Sequence, residues 1–401
     1  MNILLVTSSY PPEIRSSGHL MQELAEVLSE RGYNVMVATV YPQHNLSQDI
    51  GRPFYEPVTN ENGIKVLRIK TLPSHMVNYI VRGISYIVLP HIFFLNIRRY
   101  FREKIDTAIV YSPPLSLSIV GSKLKKVCGA KFILNVQDIF PQNAIDLGIL
   151  KNNFAIKYFL HMERNAYSEA DSIAVHSDSN AAFLIRNKKV QQDRVAIIHN
   201  WIDITPYEKA KRTGRFRKLM GLEDKFVLLF AGVIGPSQGL DLLIDAAERL
   251  RHLPDIRILI VGDGMEKERL KKKAAHLTNV IFWPFVSKEE YPELVKDADI
   301  GVVCLSSMNK TPVVPGKILG YMAASVPIVA FLNKESDGHE IIRNASCGYS
   351  EISGDPSKAA ELLCKVYSDR DNLRQLGDNG FRYALMSFTR KKCIDKLEEL
   401  F

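Results

Sequence analysis

Cysteine and tryptophan are scarce, with five and two residues in a chain of 401. The cysteines (Cys128, Cys304, Cys347, Cys364, Cys393) are scattered, with no C-x-x-C pair and no histidine at metal-ligand spacing. That excludes a disulfide-stapled scaffold and a zinc module, and it predicts free thiols in a reducing compartment. Long hydrophobic runs are missing too. The most apolar window, Met76 to Tyr100, is broken by Arg82, Pro90 and His91, and its longest uncharged run, Gly83 to Pro90, falls well short of the ~20 residues of a membrane span. The start has no basic segment, apolar middle and small-residue cleavage site, so a cytosolic location is expected. No G-x-G-x-x-G stands in register with an acidic residue about 20 positions on, which removes the usual dinucleotide signature. The basic residues are not interleaved with aromatics on a recognisable module, and no nucleic-acid partner is expected.

What is present suits two domains of roughly 200 residues each. With 46% hydrophobic residues the chain can bury two cores, and its net charge of +8 favours an anionic partner. Strand and helix patterns alternate. Short apolar runs are expected as strands at Ile3–Thr7, Asn34–Val40, Lys65–Ile69, Thr107–Tyr111, Lys131–Val136, Ser172–His176 and Arg194–Ile198, with an amphipathic helix at Ser17–Arg31. After a polar, irregular stretch, His199–Gly221, the pattern restarts with strands at Phe226–Phe230, Arg257–Val261, Val280–Phe282, Ile300–Cys304 and Ile328–Ala330 and a helix at Leu240–Leu250. This predicts an α/β fold of two Rossmann-like domains: 1–199, 200–381, and a terminal helix over 382–401 packing back on the first. Asp297-Ala-Asp299 matches a D-x-D metal motif, but the aspartates precede a strand and suffice to end a helix, so no metal is expected.

Five loops follow predicted strands, at the end where open α/β sheets bind ligands. Pro312–Ser325, PVVPGKILGYMAAS, reads as a turn at Pro315 and Gly316 feeding a helix, where free backbone N–H groups and Lys317 would hold an anion such as phosphate. Ser8–Gly18 carries Arg15 and places Gly18, with no side chain to obstruct a ligand, beside a helix start. Gln137 and Asp138 follow the Lys131–Val136 strand, where a carboxylate binds sugar hydroxyls or acts as a base; capping of the next turn is the rival role. Ala231–Gly239 holds Gly232 and Gln238, and Val261–Gly264 ends in Gly264.

In order, PPEIRSSG, QDIFP, HNWID, FAGVIGPSQGLD, VGDG, DADIGVV, PGKILGYMAAS and HEIIRNASCGY make the chain resemble a family 4 glycosyltransferase of the GT-B fold, similar to bacterial O-antigen and capsule fucosaminyl-type transferases. The resemblance implies a nucleotide-sugar donor, held mainly by the second domain, and a lipid-linked glycan acceptor at the first. Transfer would proceed across the cleft with retention and without a metal or cofactor. It also implies that Gly18 lies near the donor diphosphate, Asp138 faces the transferred sugar, and Glu340 is the glutamate of the last segment. The chain departs from the family pattern where two glutamates are expected, at Pro312 and Gly320, and where two diphosphate-gripping cations are expected, at Val233 and Gln238. A diphosphate in a partly dry site needs another cation, and Lys317, assisted by Arg15, is the candidate.

Met76–Lys104 is apolar and closes with Arg98, Arg99, Arg102 and Lys104, a pattern that suits peripheral contact with an anionic inner leaflet or, alternatively, two buried helices with a solvated basic end. Two other functions stay open: a nucleotide-sugar epimerase of the same fold and a non-catalytic GT-B binding subunit.

Overall fold

The computed structural model describes residues 1–13, 15–42, 55–73 and 79–401, so Ile14 of the first loop and Met76–Asn78 of the apolar stretch lie outside the described residues. The chain divides into two compact units, one of Met1–Ile145, Leu150–His199 and Ile394–Phe401, the other of Asp146–Ile149 and Asn200–Cys393.

The first unit is built on strands β1 (Asn2–Val6), β2 (Asn34–Val40), β3 (Val58–Glu61), β4 (Ile64–Ile69), β5 (Thr107–Ser112), β6 (Lys131–Val136), β7 (Ser172–Val175) and β8 (Val195–Ile197). They lie in the order β3-β4-β2-β1-β5-β6-β7-β8. Ile3, Leu4, Leu5 and Val6 have no exposed surface, as expected of a strand covered on both faces by helices. All pairings are parallel except β3 on β4. The edge strand β3 was not expected, because VTNE has no apolar alternation; it is recruited by a turn at Asn62 and Gly63, both with positive φ.

The second unit holds β9 (Phe226–Ala231), β10 (Ile256–Val261), β11 (Val280–Trp283), β12 (Ile300–Cys304), β13 (Ile328–Leu332) and β14 (Gly348–Ile352), all parallel, in the order β11-β10-β9-β12-β13-β14. Strand order runs outward from β9 in one direction and from β12 in the other. The crevice beyond their carboxyl ends is therefore the topological switch point of the sheet.

Two expectations need correcting. His199–Gly221 is not irregular throughout but contains helices Thr205–Lys209 and Arg215–Met220. Asp297 accepts from the backbone N–H groups of Gly214 and Phe216 at 2.8 and 2.9 Å, while Asp299 binds Arg212 and Arg217, each at 2.6 Å, and the N–H of Val227 at 2.8 Å. Both aspartates of the D-x-D thus tie this segment to the sheet. The terminal helix is two helices, Leu373–Ser387 and Arg390–Glu398, interrupted where Ile202 N–H donates to Phe388 O at 2.9 Å. In the first unit Arg31 bonds Glu398 and pairs with Asp395 at 2.7 Å, and Lys131 reaches the Phe401 carbonyl at 3.2 Å.

One packing contact sets the position of helix Lys317–Ala323. Tyr321 is fully buried over β12, and its hydroxyl donates to Leu229 O of β9 at 3.0 Å. Its ring occupies the space left by Gly301, where a Cβ would lie 2.4 Å from the ring. Gly301→Ala is expected to cost about 1–3 kcal/mol, the usual penalty for overpacking. Chemical denaturation checks this, and an unchanged midpoint would refute it.

Candidate active site

At the switch point of the second unit, the loop after β9 starts with Gly232 (φ +143°). A Cβ there would sit 2.8 Å from Cε of Lys317, so only glycine leaves the lysine its place. Lys317 donates to Oε1 of Gln238, on the same loop, at 2.8 Å, and its ammonium lies 4.7 Å from the ring centre of Phe230. The β10 loop packs directly on the β9 loop. Ile234 N–H donates to Asp263 O at 2.8 Å, and a Cβ on Gly264 would meet Ile234 O at 2.2 Å. Ser306, after β12, donates its N–H to Ser237 O at 2.9 Å. The structure thus brings together Gly232, Gln238, Gly264 and Lys317, with Pro315 and Gly316 directly before the lysine.

Lys317 heads a helix of only seven residues, so its own charge, more than a helix dipole, is what the site offers an anion. Burial holds its amine down to about 8, from an ordinary 10.5. The neighbouring Cys304 thiol is pushed up by burial to about 12 and stays neutral, so it supplies no counter-charge. Among the described residues no carboxylate is paired with Lys317. A second lysine, Lys267, escaped the sequence reading; it donates to Gly262 O at 2.8 Å and braces the β10 loop. Glu340 is exposed on helix Gly338–Ala345 and pairs at 4.0 Å with Arg343. At Gly320 a side chain would point at the hydroxyls of Tyr207 and Tyr291, with its Cβ 3.3 and 3.6 Å from them.

In the first unit, Gly18 is the third residue of helix Ser16–Glu30, and the room beside it is taken by the chain itself: a Cβ would lie 3.1 Å from Ser9 Oγ and 3.4 Å from Tyr10 Cα. Arg15 immediately precedes that helix, 4.0 Å from the buried Glu13. Gln137 donates its N–H to Ser112 O at 2.9 Å and its side-chain amide to Asn135 at 2.8 Å, holding the turn that presents Asp138. Desolvation raises the Asp138 carboxyl above its ordinary value, an effect limited by the side chain's own exposure to water. Burial, and secondarily the Asp138 charge, raise the Tyr111 hydroxyl. Beside this turn, after β7, lies His176, 4% exposed, with its imidazole lowered by burial to about 4 and no hydrogen-bond partner at Nδ1. The Ser172–His176 run masked it as the last strand residue. Among the described residues no three His, Cys, Asp or Glu side chains gather as a metal site.

Residues 213–383 match the family model of group 1 glycosyl transferases, and residues 17–201 match that of the glycosyl transferase 4-like domain. The chain belongs to the family 4 glycosyltransferases. It is 29% identical to the putative colanic acid biosynthesis glycosyl transferase WcaI of Escherichia coli K12, over 80% of this chain and 81% of that one. Its fold is GT-B. It resembles HepE of Anabaena, solved with UDP-glucose, at a TM-score of 0.73 and 17% identity, covering 100% and 98% of the two chains. It also resembles WaaG, a glycosyltransferase involved in lipopolysaccharide biosynthesis, at a TM-score of 0.70 and 16% identity, covering 99% of each.

The transferase's unpaired lysine has a pH signature. The unfolded chain keeps this proton up to about 10.5 and the folded one loses it near 8, so between these values the unfolded state binds more protons and Lys317 makes stability rise with pH. The difference in melting temperature between the native protein and Lys317→Met should therefore shift in favour of the native protein from pH 7.5 to 10. Parallel pH profiles would show that the amine is not desolvated.

Proposed function

We propose that this glycosyltransferase is a retaining, metal-independent enzyme that moves a sugar from a nucleotide-sugar donor to a polyprenyl diphosphate-linked glycan in surface polysaccharide synthesis. The observation that carries the donor part is Lys317, a partly buried amine with no carboxylate partner, held against Gly232 and Gln238 at the switch point. A diphosphate supplies the negative charge that such an amine lacks. The UDP-glucose bound by HepE and the colanic acid biosynthesis assigned to WcaI support the donor class and the polysaccharide context. In this reading Lys317 and Gln238 hold the diphosphate, while the family resemblance alone gives Arg15 and Gly18 to the diphosphate and Asp138, with Gln137 beside it, to the transferred sugar. Glu340, exposed on its helix, would engage the donor through a hydroxyl. Retention and metal independence follow the family resemblance: the cation does the charge neutralisation that a metal would otherwise do.

The acceptor reading rests on helix Tyr79–Tyr100, a single helix containing Pro90 in place of the two buried helices weighed from sequence. Leu89, Phe93 and Ile97 enter the core, while Val81, Ile84, Ile87 and Leu95 are exposed and Arg98 and Arg99 close its last turn. Among the described residues no helix is long and apolar enough to cross a membrane. The exposed aliphatics and the basic end suit the inner face of an anionic membrane, at about 1 kcal/mol per basic residue.

Calorimetry with a panel of UDP-, GDP- and TDP-sugars should find one that binds, and Lys317→Ala should weaken that donor by about 1.5–3 kcal/mol; unchanged affinity would overturn the diphosphate assignment. With the same donor, Asp138→Asn should lower turnover more than it lowers donor affinity, and equal turnover would remove Asp138 from the chemistry. Flotation with anionic liposomes should be lost when Arg98, Arg99, Arg102 and Lys104 are changed to glutamine. Flotation that persists, or that never occurs, would speak against membrane contact.

A further inference from the structure

The loop after β13 reaches the same carboxyl edge as the donor loops, and it buries polar groups that the fold does not satisfy. Asn333, Ser336 and Asp337 are 1%, 5% and 8% exposed. Two hydrogen bonds strap them to the segment leading into Lys317: Asn333 Nδ2 donates to Thr311 O at 3.2 Å, and Ser336 Oγ donates to Val313 O at 2.6 Å. The next residue, Gly338, packs against the neighbour of that lysine, with an added Cβ falling 3.0 Å from Ile318 Cδ1. Asn333 Oδ1 and Asp337 Oδ2 nevertheless have no hydrogen-bond partner. Asp337 stands at the N-cap of helix Gly338–Ala345, yet its side chain does not cap it.

A buried acceptor without a donor is destabilising, and a charged one more so. Two such acceptors four residues apart on one short loop call for a ligand with donors. The diphosphate of a nucleotide sugar is fully ionised, has no O–H to donate and would be repelled by Asp337; hydroxyl groups fit. The family resemblance assigns a carboxylate to position 320, but Gly320 has no side chain and its Cβ position faces the hydroxyls of Tyr207 and Tyr291, so no carboxylate stands there.

We propose that Asn333 and Asp337 together accept hydrogen bonds from a vicinal pair of hydroxyls of the nucleotide sugar, taking over the role of the missing glutamate. This rests on the donor reading above. Such a diol occurs both on the ribose and on the transferred sugar, and the test separates them. Asp337→Asn removes a charge that the ligand-free fold leaves unpaired, so the melting temperature of the ligand-free protein should stay the same or rise. Affinity for the nucleotide sugar found in the donor panel should fall at least tenfold. Calorimetry is run in parallel with the corresponding nucleoside diphosphate: an equal loss places the diol on the ribose, a loss confined to the nucleotide sugar places it on the transferred sugar. If Asp337→Asn fails to fold, Asp337→Ser is put through the same comparison. A variant that binds both ligands as the native protein does would overturn the proposal whatever its melting temperature, and a lower one would make Asp337 a structural residue. A native protein that binds nothing in the panel would overturn the donor reading itself, and this proposal with it.

Discussion

The desolvated amine of Lys317 is the constraint around which the second unit is arranged. A lysine that titrates near 8 is one whose charge the fold does not compensate. Keeping it there takes Gly232, because any side chain would displace the amine, and Gln238, which accepts one of its hydrogen bonds. It also takes the Tyr321 ring seated over Gly301, which anchors the helix to β9 and β12. These groups are expensive in a protein that binds nothing and become sensible once an anion fills the site.

The same logic extends one strand over. Beside an unpaired cation the structure places unpaired acceptors, Asn333 Oδ1 and Asp337 Oδ2, on a loop hydrogen-bonded to the segment that carries the lysine. On the proposal above, the cation would take the phosphate and the acceptors the hydroxyls of one nucleotide sugar, whose charge and diols lie within one molecule. The first unit repeats the theme more weakly, with Asp138 on a turn fixed by Gln137 and with the neutral, buried His176 nearby. Three of the unsatisfied groups, His176 after β7 and Asn333 and Asp337 after β13, stand just past strand ends, where helices and ladders have already used the backbone's own partners.

Much of the fold could be read from the chain alone. β2, β6 and β12 have the expected bounds to the residue, because buried parallel strands are written as short apolar runs closed by polar residues or glycine. The edge strands β3 and β14 were missed for the converse reason: VTNE and GYSEI are half-exposed and carry no such run. The expected end of β13 at Ala330 hid Asn333, and with it the acceptor pair, since Phe331 and Leu332 continue the strand to its edge. The two short helices within 199–221 have no amphipathic repeat long enough to detect and are held by Asp297 and by Asp203, which accepts from Thr205 N–H at 3.0 Å.

The sequence by itself determined the α/β class, the division into two strand–helix repeats and the loops at which chemistry could occur, because these depend on local periodicity and on glycine and proline punctuation. Composition was enough to make disulfides and a membrane-spanning run unexpected. Only the tertiary structure decided which polar residues of those loops meet. Whether Lys317 is a surface lysine or a desolvated one depends on Gly232 and Phe230, some 90 positions away, and a periodicity cannot carry that information. Burial and partner count are properties of the packed chain, and they turned a plausible phosphate turn into a specific cation, made D-x-D a pair of structural anchors and exposed Asp337.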